Sequence, residues 1–434
     1  MTPAARIYNL FPLLAGTSLQ WAEYLPSIEA MGFDWVYLNP IHYPGFSGSL
    51  YAIKSFDRIH PVLDSGDGLD AFQQLRRFCE AAREHNVRVM VDLVINHASK
   101  DSLLAQQHPE FFLRDERGQL VSPCAIDPAD ARNVTVWGDL ASFDYSDRPV
   151  RERLLRTWEE LIDRYLDAGV QGFRCDAAYL IPAPVWQRLV SHGQSHHRTL
   201  FVAETLGARL EQVHDLAGAG FHAFYNSSKW WNFRDPWLLE QYEAFRHVAP
   251  SVSFAESHDT PRLVQELQAS GIQDPWQWEA HYRLRYLFSI FFSTGVMMPV
   301  GFESGQGRRL DVVRTRPTDW EPERFDLRGF IAAANETKRT IRALNEEGPL
   351  QRITSPEEPL VGLIRSTQDG SERCLALINP TDSVHDVVVD ELERRCGTGW
   401  TTVCDTNLGS VEGEWAPRRS LRFHPISMRI LRLR

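Results

Sequence analysis

Short apolar runs of β type alternate with longer amphipathic stretches through the first three-quarters of the chain. This alternation is typical of repeated β-α units around a parallel sheet, and eight such strands close a barrel. The eight candidate strands are Ile7–Phe11, Trp35–Leu38, Arg88–Ile95, Gly172–Cys175, Leu200–Ala203, Ala223–Asn226, Ser251–Ala255 and Gly295–Pro299. The pattern therefore predicts an α/β fold built on a (β/α)8 barrel.

Two of the intervening helices can be placed by their apolar spacing. Asp147 and Pro149 favour a helix start and Gly169 a helix end. The apolar positions of this helix are Leu154, Trp158, Leu161 and Tyr165. Those of a second helix, before the third strand, are Leu69, Phe72, Leu75 and Cys79. Both helices are one-sided, as expected for an outer ring packed on a barrel.

Two segments depart from this pattern. Residues 97–146 are rich in Asp, Pro and aromatic side chains and too long for a simple βα loop, which indicates an inserted subdomain. After Gly348 the helical period stops, and short apolar runs recur between turn signals, which indicates an antiparallel β-domain over residues 348–434. The barrel itself is assigned to residues 1–96 and 147–347.

Composition and charge exclude several classes of function. The chain has 434 residues, 43% of them hydrophobic and 24% charged, as in ordinary globular proteins. A net charge of −11 disfavours nucleic acid and acidic membranes as partners. The apolar run Tyr286–Val300 is too short to span a bilayer, and the N-terminus has no visible secretory signal, so we expect a cytoplasmic protein. The six cysteines form no C-x-x-C pair and are interpreted as reduced packing residues.

Four acidic motifs lie at or just beyond the ends of predicted strands three, four, five and seven. The motifs are DLVINHAS (Asp92–Ser99), GFRCDAAY (Gly172–Tyr179), FVAETLG (Phe201–Gly207) and FAESHDTPR (Phe254–Arg262). One such carboxylate could be a helix cap or a loop-ordering group. Four together at the C-terminal rim of a barrel indicate an active site.

With these motifs in this order, the chain resembles the α-amylase superfamily of retaining glycoside hydrolases and transglycosylases. The resemblance implies a TIM barrel with a subdomain inserted after strand three and a C-terminal antiparallel β-sandwich. It implies that Asp176 is the nucleophile, Glu204 the general acid and base, and Asp259 the carboxylate that holds sugar hydroxyls in the transition state. The sugar-binding positions that it implies are Tyr51, Asp92, His97, Arg174 and His258.

The residues themselves support these roles. Retaining cleavage needs one carboxylate that attacks the anomeric carbon and one protonated carboxyl about 5 to 5.5 Å away. Arg174 lies two residues before Asp176, so both point to one face of a strand and the guanidinium favours an ionised Asp176. Glu204 follows the apolar run LFVA, where burial raises a carboxyl pKa as an acid catalyst requires.

Other residues at the rim have open interpretations. In many family members the residue matching Asn96 binds a structural calcium ion, and Asp139 or Asp144 could supply a further ligand here; in others no metal is present. The segment 226–237 brings three tryptophans to the rim, where they either stack on sugars or pack beneath a loop. Cys175, beside the nucleophile, is interpreted as a core thiol. No organic cofactor is implied.

Several positions differ from common starch hydrolases. Ala52 follows Tyr51 where those enzymes have Asp, and Tyr179 and Leu180 replace a Lys-His pair after the nucleophile. The strings YAIKSFDRIHP, IPAPVWQRL and FVAET look closer to the maltosyltransferase branches of the family. The phosphate-using branch, however, has Asn directly after the nucleophile, and this chain has Ala177.

The sequence therefore predicts an enzyme that cleaves α-1,4-glucosidic bonds in maltooligosaccharides or glucans through a covalent ester on Asp176, by hydrolysis, transglycosylation or both. A maltosyltransferase or 4-α-glucanotransferase with little hydrolysis is the closest alternative. From other classes, a non-catalytic binding relative should have lost a catalytic carboxylate. A metal-dependent hydrolase would use Asp92, His97, His258 and Asp259 as ligands but lacks a known ligand spacing.

Overall fold

Eight parallel strands form a closed barrel in chain order at the centre of the protein, with the first strand hydrogen-bonded to both the second and the last. The computed structural model describes residues 4–126, 132–196, 198–407, 409–414 and 420–433. The barrel strands are β1 (Arg6–Asn9), β2 (Trp35–Leu38), β3 (Arg88–Leu93), β4 (Gly172–Cys175), β5 (Leu200–Ala203), β6 (Ala223–Tyr225), β7 (Ser251–Phe254) and β8 (Gly295–Pro299). The predicted barrel is confirmed.

Four strands end earlier than their apolar runs predict. The β1 ladder stops at Asn9, yet Leu10 and Phe11 are fully buried, and β3 stops at Leu93 although Val94 and Ile95 are buried. In β6 and β7 the predicted last residue likewise lies just beyond the strand. Hydrophobic patterning reports burial, whereas strand ends are set by backbone pairing, and the two differ at the rim of a barrel.

Twelve helices are found among the described residues. They are α1 (Pro12–Ala15), α2 (Leu25–Ala30), α3 (Ala71–Glu84), α4 (Leu103–Gln107), α5 (Arg148–Asp167), α6 (Ala183–His196), α7 (Leu210–Asp215), α8 (Trp237–Phe245), α9 (Leu263–Ala269), α10 (Pro275–Phe292), α11 (Arg328–Thr340) and α12 (Val389–Cys396). Most of them pack on the outside of the barrel, while α4 lies in the segment between β3 and α5 and α12 in the C-terminal part of the chain. Asp147 caps α5 as predicted, since its carboxylate accepts from the Val150 N–H. Leu69 was expected in α3 but precedes it and is exposed, because Asp70 and Gln73 form a capping box that starts the helix at Ala71.

Between β3 and α5 the chain forms two small antiparallel ribbons. Strand His97–Ser99 pairs with Leu140–Ser142, and Cys124–Ile126 pairs with Val134–Val136. A third ribbon, His42–Pro44 with Ile53–Ile59, follows β2. These ribbons lie beyond the C-terminal ends of the barrel strands. The domain limits at residues 97–146 and 348–434 stay predictions.

The last part of the chain is an antiparallel β-structure, as predicted. Its strands are β9 (Leu350–Arg352), β10 (Val361–Ser366), β11 (Arg373–Asn379), β12 (His385–Val388), β13 (Trp400–Asp405), β14 (Gly409–Glu414), β15 (Ser420–Phe423) and β16 (Ser427–Leu433). Six form one sheet, in the order β9-β10-β11-β16-β13-β14, and β12 pairs with β15. Along β11, Cys374, Ala376 and Ile378 join the barrel core. Leu375 and Leu377 face a second core with α12 and the β12-β15 ribbon.

Within the described residues, no helix combines the length and apolar character needed to cross a bilayer. Five of the six free cysteines are buried, as a packing role requires, but Cys124 is exposed on its ribbon and is not a packing residue.

Candidate active site

The carboxyl ends of the barrel strands bring the eight predicted site residues together. Asp92 lies on β3 and Arg174 on β4, while Asp176, Glu204 and the pair His258–Asp259 follow β4, β5 and β7. Tyr51 reaches the group from the loop after β2, and His97 from the first ribbon strand after β3. Because these strands are parallel, side chains far apart in sequence meet at one rim.

Arg174 is the centre of the cluster. It is buried, and its Nη1 atom lies 2.9 Å from Asp92 Oδ1 and 2.5 Å from Asp176 Oδ1. Its Nη2 atom lies 3.9 Å from Glu204 Oε2 and 3.9 Å from Asp259 Oδ2. One guanidinium therefore faces four carboxylates, and its hydrogen bond to Asp176 fixes the orientation of that carboxylate.

Glu204 is held differently from Asp176. Its Oε2 atom accepts from the Ala177 N–H at 3.0 Å and its Oε1 atom from the Leu206 N–H at 2.6 Å. Burial, together with the charges of Asp176 and Asp259, raises the pKa of Glu204 to about 7, against the opposing effect of Arg174. A raised pKa keeps the proton on this carboxyl to higher pH than on an ordinary glutamate, as the role of a general acid requires.

Ala177 supports this arrangement through its backbone. It adopts left-handed φ and ψ angles of 42° and 44°, a conformation that residues with a Cβ rarely take. The turn sends the Ala177 N–H to Glu204 Oε2, and the Ala178 N–H to the Glu204 carbonyl oxygen. Strain of this kind persists where surrounding contacts over-determine it, and here it links the two key carboxylates.

Asp259 lies at the mouth of the site, with its side chain 53% exposed. His258 Nε2 is 3.0 Å from Asp259 Oδ2. Partial burial acts against ionisation, but His258 and then Arg174 outweigh it and lower the pKa of Asp259 to about 2. An anionic carboxylate that reaches solvent can meet sugar hydroxyls directly.

Tyr51 and His258 form one wall of the site, beside Asp92 and Asp259. Their rings are stacked, with centroids 5.8 Å apart and planes 7° apart. The Tyr51 hydroxyl donates to Asp92 Oδ2 at 2.6 Å and lies 2.8 Å from His258 Nε2. A ring fixed in this way offers a flat apolar face to a sugar.

His97 is buried, and its Nε2 atom has no hydrogen-bond partner among the described residues. Burial lowers its pKa, so the ring is neutral at pH 7. A buried nitrogen without a partner is costly unless a ligand completes it. His97 thus fits a contact with a substrate hydroxyl.

The residues around Asn96 do not form an obvious cation site. The Asn96 amide nitrogen is 3.4 Å from His97 Nδ1, and Asp144 is engaged by the Ser146 N–H and hydroxyl of its own turn. No three His, Cys, Asp or Glu side chains gather in a metal-binding group in the described part of the chain.

The donor set also disfavours the metal-hydrolase alternative. Asp92, its proposed first ligand, already accepts from Arg174, Tyr37 and Tyr51. A guanidinium in the middle of a carboxylate cluster occupies the place that a cation would need.

The two adjacent tryptophans of the KWW segment have opposite environments. Trp231 is fully buried, donates to the Asp235 carbonyl oxygen at 2.7 Å and stacks on Phe288. Of the two interpretations of this segment, packing beneath a loop therefore holds for Trp231, which cannot be a sugar platform. Trp230 is 50% exposed and packs edge-on against Phe254, which lines the site. The turn at Ser228–Trp230 decides which ring points outward, and adjacent identical residues carry no sequence signal for it.

Sequence reasoning missed several lining residues. Among them are Tyr37, Leu206, Tyr225, Phe254 and Ser257. Tyr37 and Tyr225 belong to strands whose apolar pattern marked them as core, and only their hydroxyls distinguish them. Period-two spacing from Trp35 to Tyr37 and Asn39 is the signal that could have found the polar end of β2.

The sequence matches known proteins in two comparisons. Residues 4–117 match a family model described as glycogen debranching enzyme, glucanotransferase domain. An α-1,4-glucan:maltose-1-phosphate maltosyltransferase of Burkholderia pseudomallei is 27% identical over 395 residues, which cover 89% of this chain and 34% of that protein. The α-amylase MalA of Haloarcula japonica is 24% identical over 410 residues, which cover 87% of this chain and 56% of that protein. The chain thus spans about a third to just over half of these relatives.

The fold also matches solved structures. The maltogenic α-amylase AmyB of Thermotoga neapolitana superposes with a TM-score of 0.72 at 21% identity, over 99% of this chain and 98% of that one. At this identity the likeness establishes a shared fold, including the barrel and the C-terminal sheet.

Proposed function

We propose that the chain, which is similar to maltosyltransferases and α-amylases, is a member of the α-amylase superfamily and cleaves α-1,4-glucosidic bonds in maltooligosaccharides or glucans with retention of configuration. The observation that carries this proposal is the division of roles at one guanidinium. Asp176 is bonded to Arg174 at 2.5 Å, while Glu204, 3.9 Å from the same side chain, has its pKa raised to about 7.

In the first half-reaction, an Asp176 oxygen attacks the anomeric carbon as the glucosidic C–O bond breaks. Glu204 delivers its proton to the leaving oxygen, so that the shortened glucan leaves as an alcohol. The products are a glycosyl ester on Asp176 and a Glu204 carboxylate. Asp259 and His97 are placed to bind hydroxyls of the sugar whose ring flattens.

In the second half-reaction, the ionised Glu204 takes a proton from water or a sugar hydroxyl, whose oxygen attacks the same carbon and breaks the ester. Asp176 is released as a carboxylate and Glu204 is again protonated. The two displacements each invert the carbon, so the product keeps the α configuration.

The stereochemistry of the product tests this proposal directly. Maltoheptaose digested by the wild-type chain in deuterated buffer should release α-anomeric reducing ends first, followed by mutarotation, in a proton NMR time course. A control variant, Asp163→Asn, changes a half-exposed carboxylate on α5 and should give the same time course as the wild-type chain. A β-anomeric first product would contradict double displacement and with it the role of Asp176.

A second candidate, transfer to a sugar with little hydrolysis, is favoured by the apolar entrance to the site. Tyr179 lies close enough to Glu204 and Asp176 for their charges to act on it, and Leu180 is 40% exposed. Trp230 and Phe254 add aromatic surface. An apolar acceptor site holds a sugar by its face and leaves less room for ordered water.

Trp230→Ala should shift the products of maltoheptaose from longer chains toward shorter ones. Loss of the exposed ring removes the stacking surface for the acceptor, worth about 1 kcal/mol, and admits water. The ratio of transfer to hydrolysis, measured by chromatography of early products, should fall severalfold. Trp276→Ala, at an exposed tryptophan in the first turn of α10, should leave the ratio unchanged. An unchanged ratio in Trp230→Ala would show that Trp230 does not hold the acceptor. Wild-type products no longer than maltoheptaose would leave hydrolysis as the better description of the enzyme.

For the rest of the biological setting, we infer an α-glucan or maltooligosaccharide as the substrate and a cytoplasmic location. The net charge of −11 supports the absence of nucleic acid or acidic membranes among its partners.

A further inference from the structure

Two buried amides lead from β1 and β2 into the acidic cluster. Asn9 and Asn39 are fully buried. The Asn9 Nδ2 atom donates to the backbone carbonyl oxygen of Tyr37 at 3.1 Å and to Asn39 Oδ1 at 2.9 Å. A carbonyl oxygen can only accept, so the first contact fixes which end of the Asn9 amide is nitrogen. The second contact then fixes Asn39, whose oxygen faces Asn9.

The Asn39 nitrogen consequently faces two phenol oxygens. Its Nδ2 atom is 3.1 Å from the Tyr37 hydroxyl and 3.0 Å from the Tyr51 hydroxyl. A hydroxyl that accepts an N–H at one side sends its own proton elsewhere. Asp92 Oδ2 lies 2.6 Å from both hydroxyls. One amide thus directs two protons onto one carboxylate oxygen.

These two protons matter because Asp92 lies next to another carboxylate. Burial and the charge of Asp176 raise the pKa of Asp92, and Arg174 and the hydrogen bonds from Tyr37 and Tyr51 oppose them. The charged neighbours that act on Asp92 are thus Arg174 and Asp176, and its phenol donors are Tyr37 and Tyr51; the Cys175 thiol and the Tyr165 and Tyr225 phenols lie within reach of its charge. Without the phenol protons, the guanidinium alone would balance two buried carboxylates.

The direction of these hydrogen bonds also determines which atom donates between Tyr51 and His258. With the Tyr51 proton on Asp92, His258 Nε2, at 2.8 Å from the Tyr51 oxygen, must carry hydrogen. It then donates to Tyr51 or to Asp259, 3.0 Å away. The stacked Tyr51 and His258 rings are locked by this chain of donors.

We propose that Asn39 is a positioning residue that orients the Tyr37 and Tyr51 hydroxyls toward Asp92, and so holds the Tyr51 ring and the Asp92–Arg174 pair in the arrangement used by the reaction. The kinetic consequence rests on the proposed function. The direction of the hydrogen bonds does not, and it can be tested separately.

The test compares Asn39→Asp with Asn39→Ala. Aspartate has nearly the same shape as asparagine, but its oxygens only accept, so it draws the phenol protons away from Asp92. Alanine leaves both protons free to remain there. We expect kcat/KM on maltoheptaose to fall about tenfold in Asn39→Ala and about 100-fold or more in Asn39→Asp. In a plot of kcat/KM against pH, the rise on the acidic side should move to higher pH only in Asn39→Asp.

A space-filling role for Asn39 predicts the opposite order, because aspartate preserves volume and alanine does not. Asn379→Asp is the matched control for burying a carboxylate. Asn379 is fully buried in β11 and donates to the carbonyl oxygens of Ser383 and His424, far from the site. This variant should lower the melting temperature without moving the pH profile. Equal or greater loss in Asn39→Ala than in Asn39→Asp would overturn the proposal.

A titration independent of activity separates the two proposals. In protein labelled with carboxyl-13C aspartate, the Asp92 resonance, assigned with Asp92→Asn, should titrate at higher pH in Asn39→Asp than in Asn39→Ala. Tyr37→Phe, which removes one of the two phenol donors, should shift it in the same direction and serves if Asn39→Asp does not fold. Unshifted Asp92 in these variants would refute the role of Asn39. A wild-type chain inactive on maltoheptaose would refute the proposed function but not this assignment.

Discussion

Asp176→Asn should abolish turnover of maltoheptaose while leaving the fold intact. An amide cannot act as the anionic nucleophile, so no glycosyl ester can form, and we expect kcat to fall by about 10⁴-fold or more. Asparagine has the same shape and can still contact Arg174, which retains its pair with Asp92. The melting temperature should therefore change by only a few degrees. Initial rates and thermal unfolding of purified protein measure the two effects.

Asp163→Asn provides the matched carboxylate change for this experiment. Asp163 lies on the outer face of α5, where its side chain is 49% exposed, and its loss should leave kcat unchanged. If Asp176→Asn kept more than a few per cent of the wild-type rate, with contaminating glucanase removed, Asp176 would not be the nucleophile.

Glu204→Gln should lose its activity on glucans but keep its first step on an activated donor. Removal of a general acid costs about 10² to 10⁴-fold when the leaving alcohol needs a proton. Fluoride leaves without one, so α-maltosyl fluoride should still load Asp176, and the ester should accumulate because its hydrolysis needs Glu204 as base. Peptide mass mapping identifies the labelled residue.

The pH dependence gives a second measurement on Glu204. Its pKa is raised to about 7, mainly by burial. Since the acid form is the active one, kcat/KM on maltoheptaose should fall as pH rises through about 7. Loading with maltosyl fluoride, whose leaving group needs no proton, should lack this alkaline limb in the wild-type protein and in Glu204→Gln alike. A retained limb, or an ester mapped to a residue other than Asp176, would contradict the two assignments.

The fold could be predicted closely because barrel strands carry a strong pattern. Each strand between helices is buried on both faces, so runs such as LFVA and GVMMP stand out from their amphipathic neighbours. Strand ends were less accurate because Phe11 and Ile95 are buried beyond the last ladder bond. One of the apolar runs that indicate the antiparallel β-domain is HDVVVD (residues 385–390), yet α12 begins at Val389 within it. A run of six residues cannot distinguish the two states by period alone.

The candidate site divides along similar lines. Asp176, Glu204 and Asp259 could be predicted from short motifs, because in each motif a carboxylate follows an apolar strand. Trp230 and Trp231 had no such distinction, and the turn geometry alone separates the exposed ring from the buried one.

By itself, the sequence determined the elements, the barrel and the identity of the clustered carboxylates, since these follow from local periodicity and from residue types at strand ends. Only the tertiary structure decided how those groups are charged and oriented. The pKa of Glu204 depends on burial and on two carboxylates from other strands, and the direction of the Tyr51 proton depends on Asn9 and Asn39. Such properties arise from distances between residues that are remote in the chain, and no local pattern encodes them.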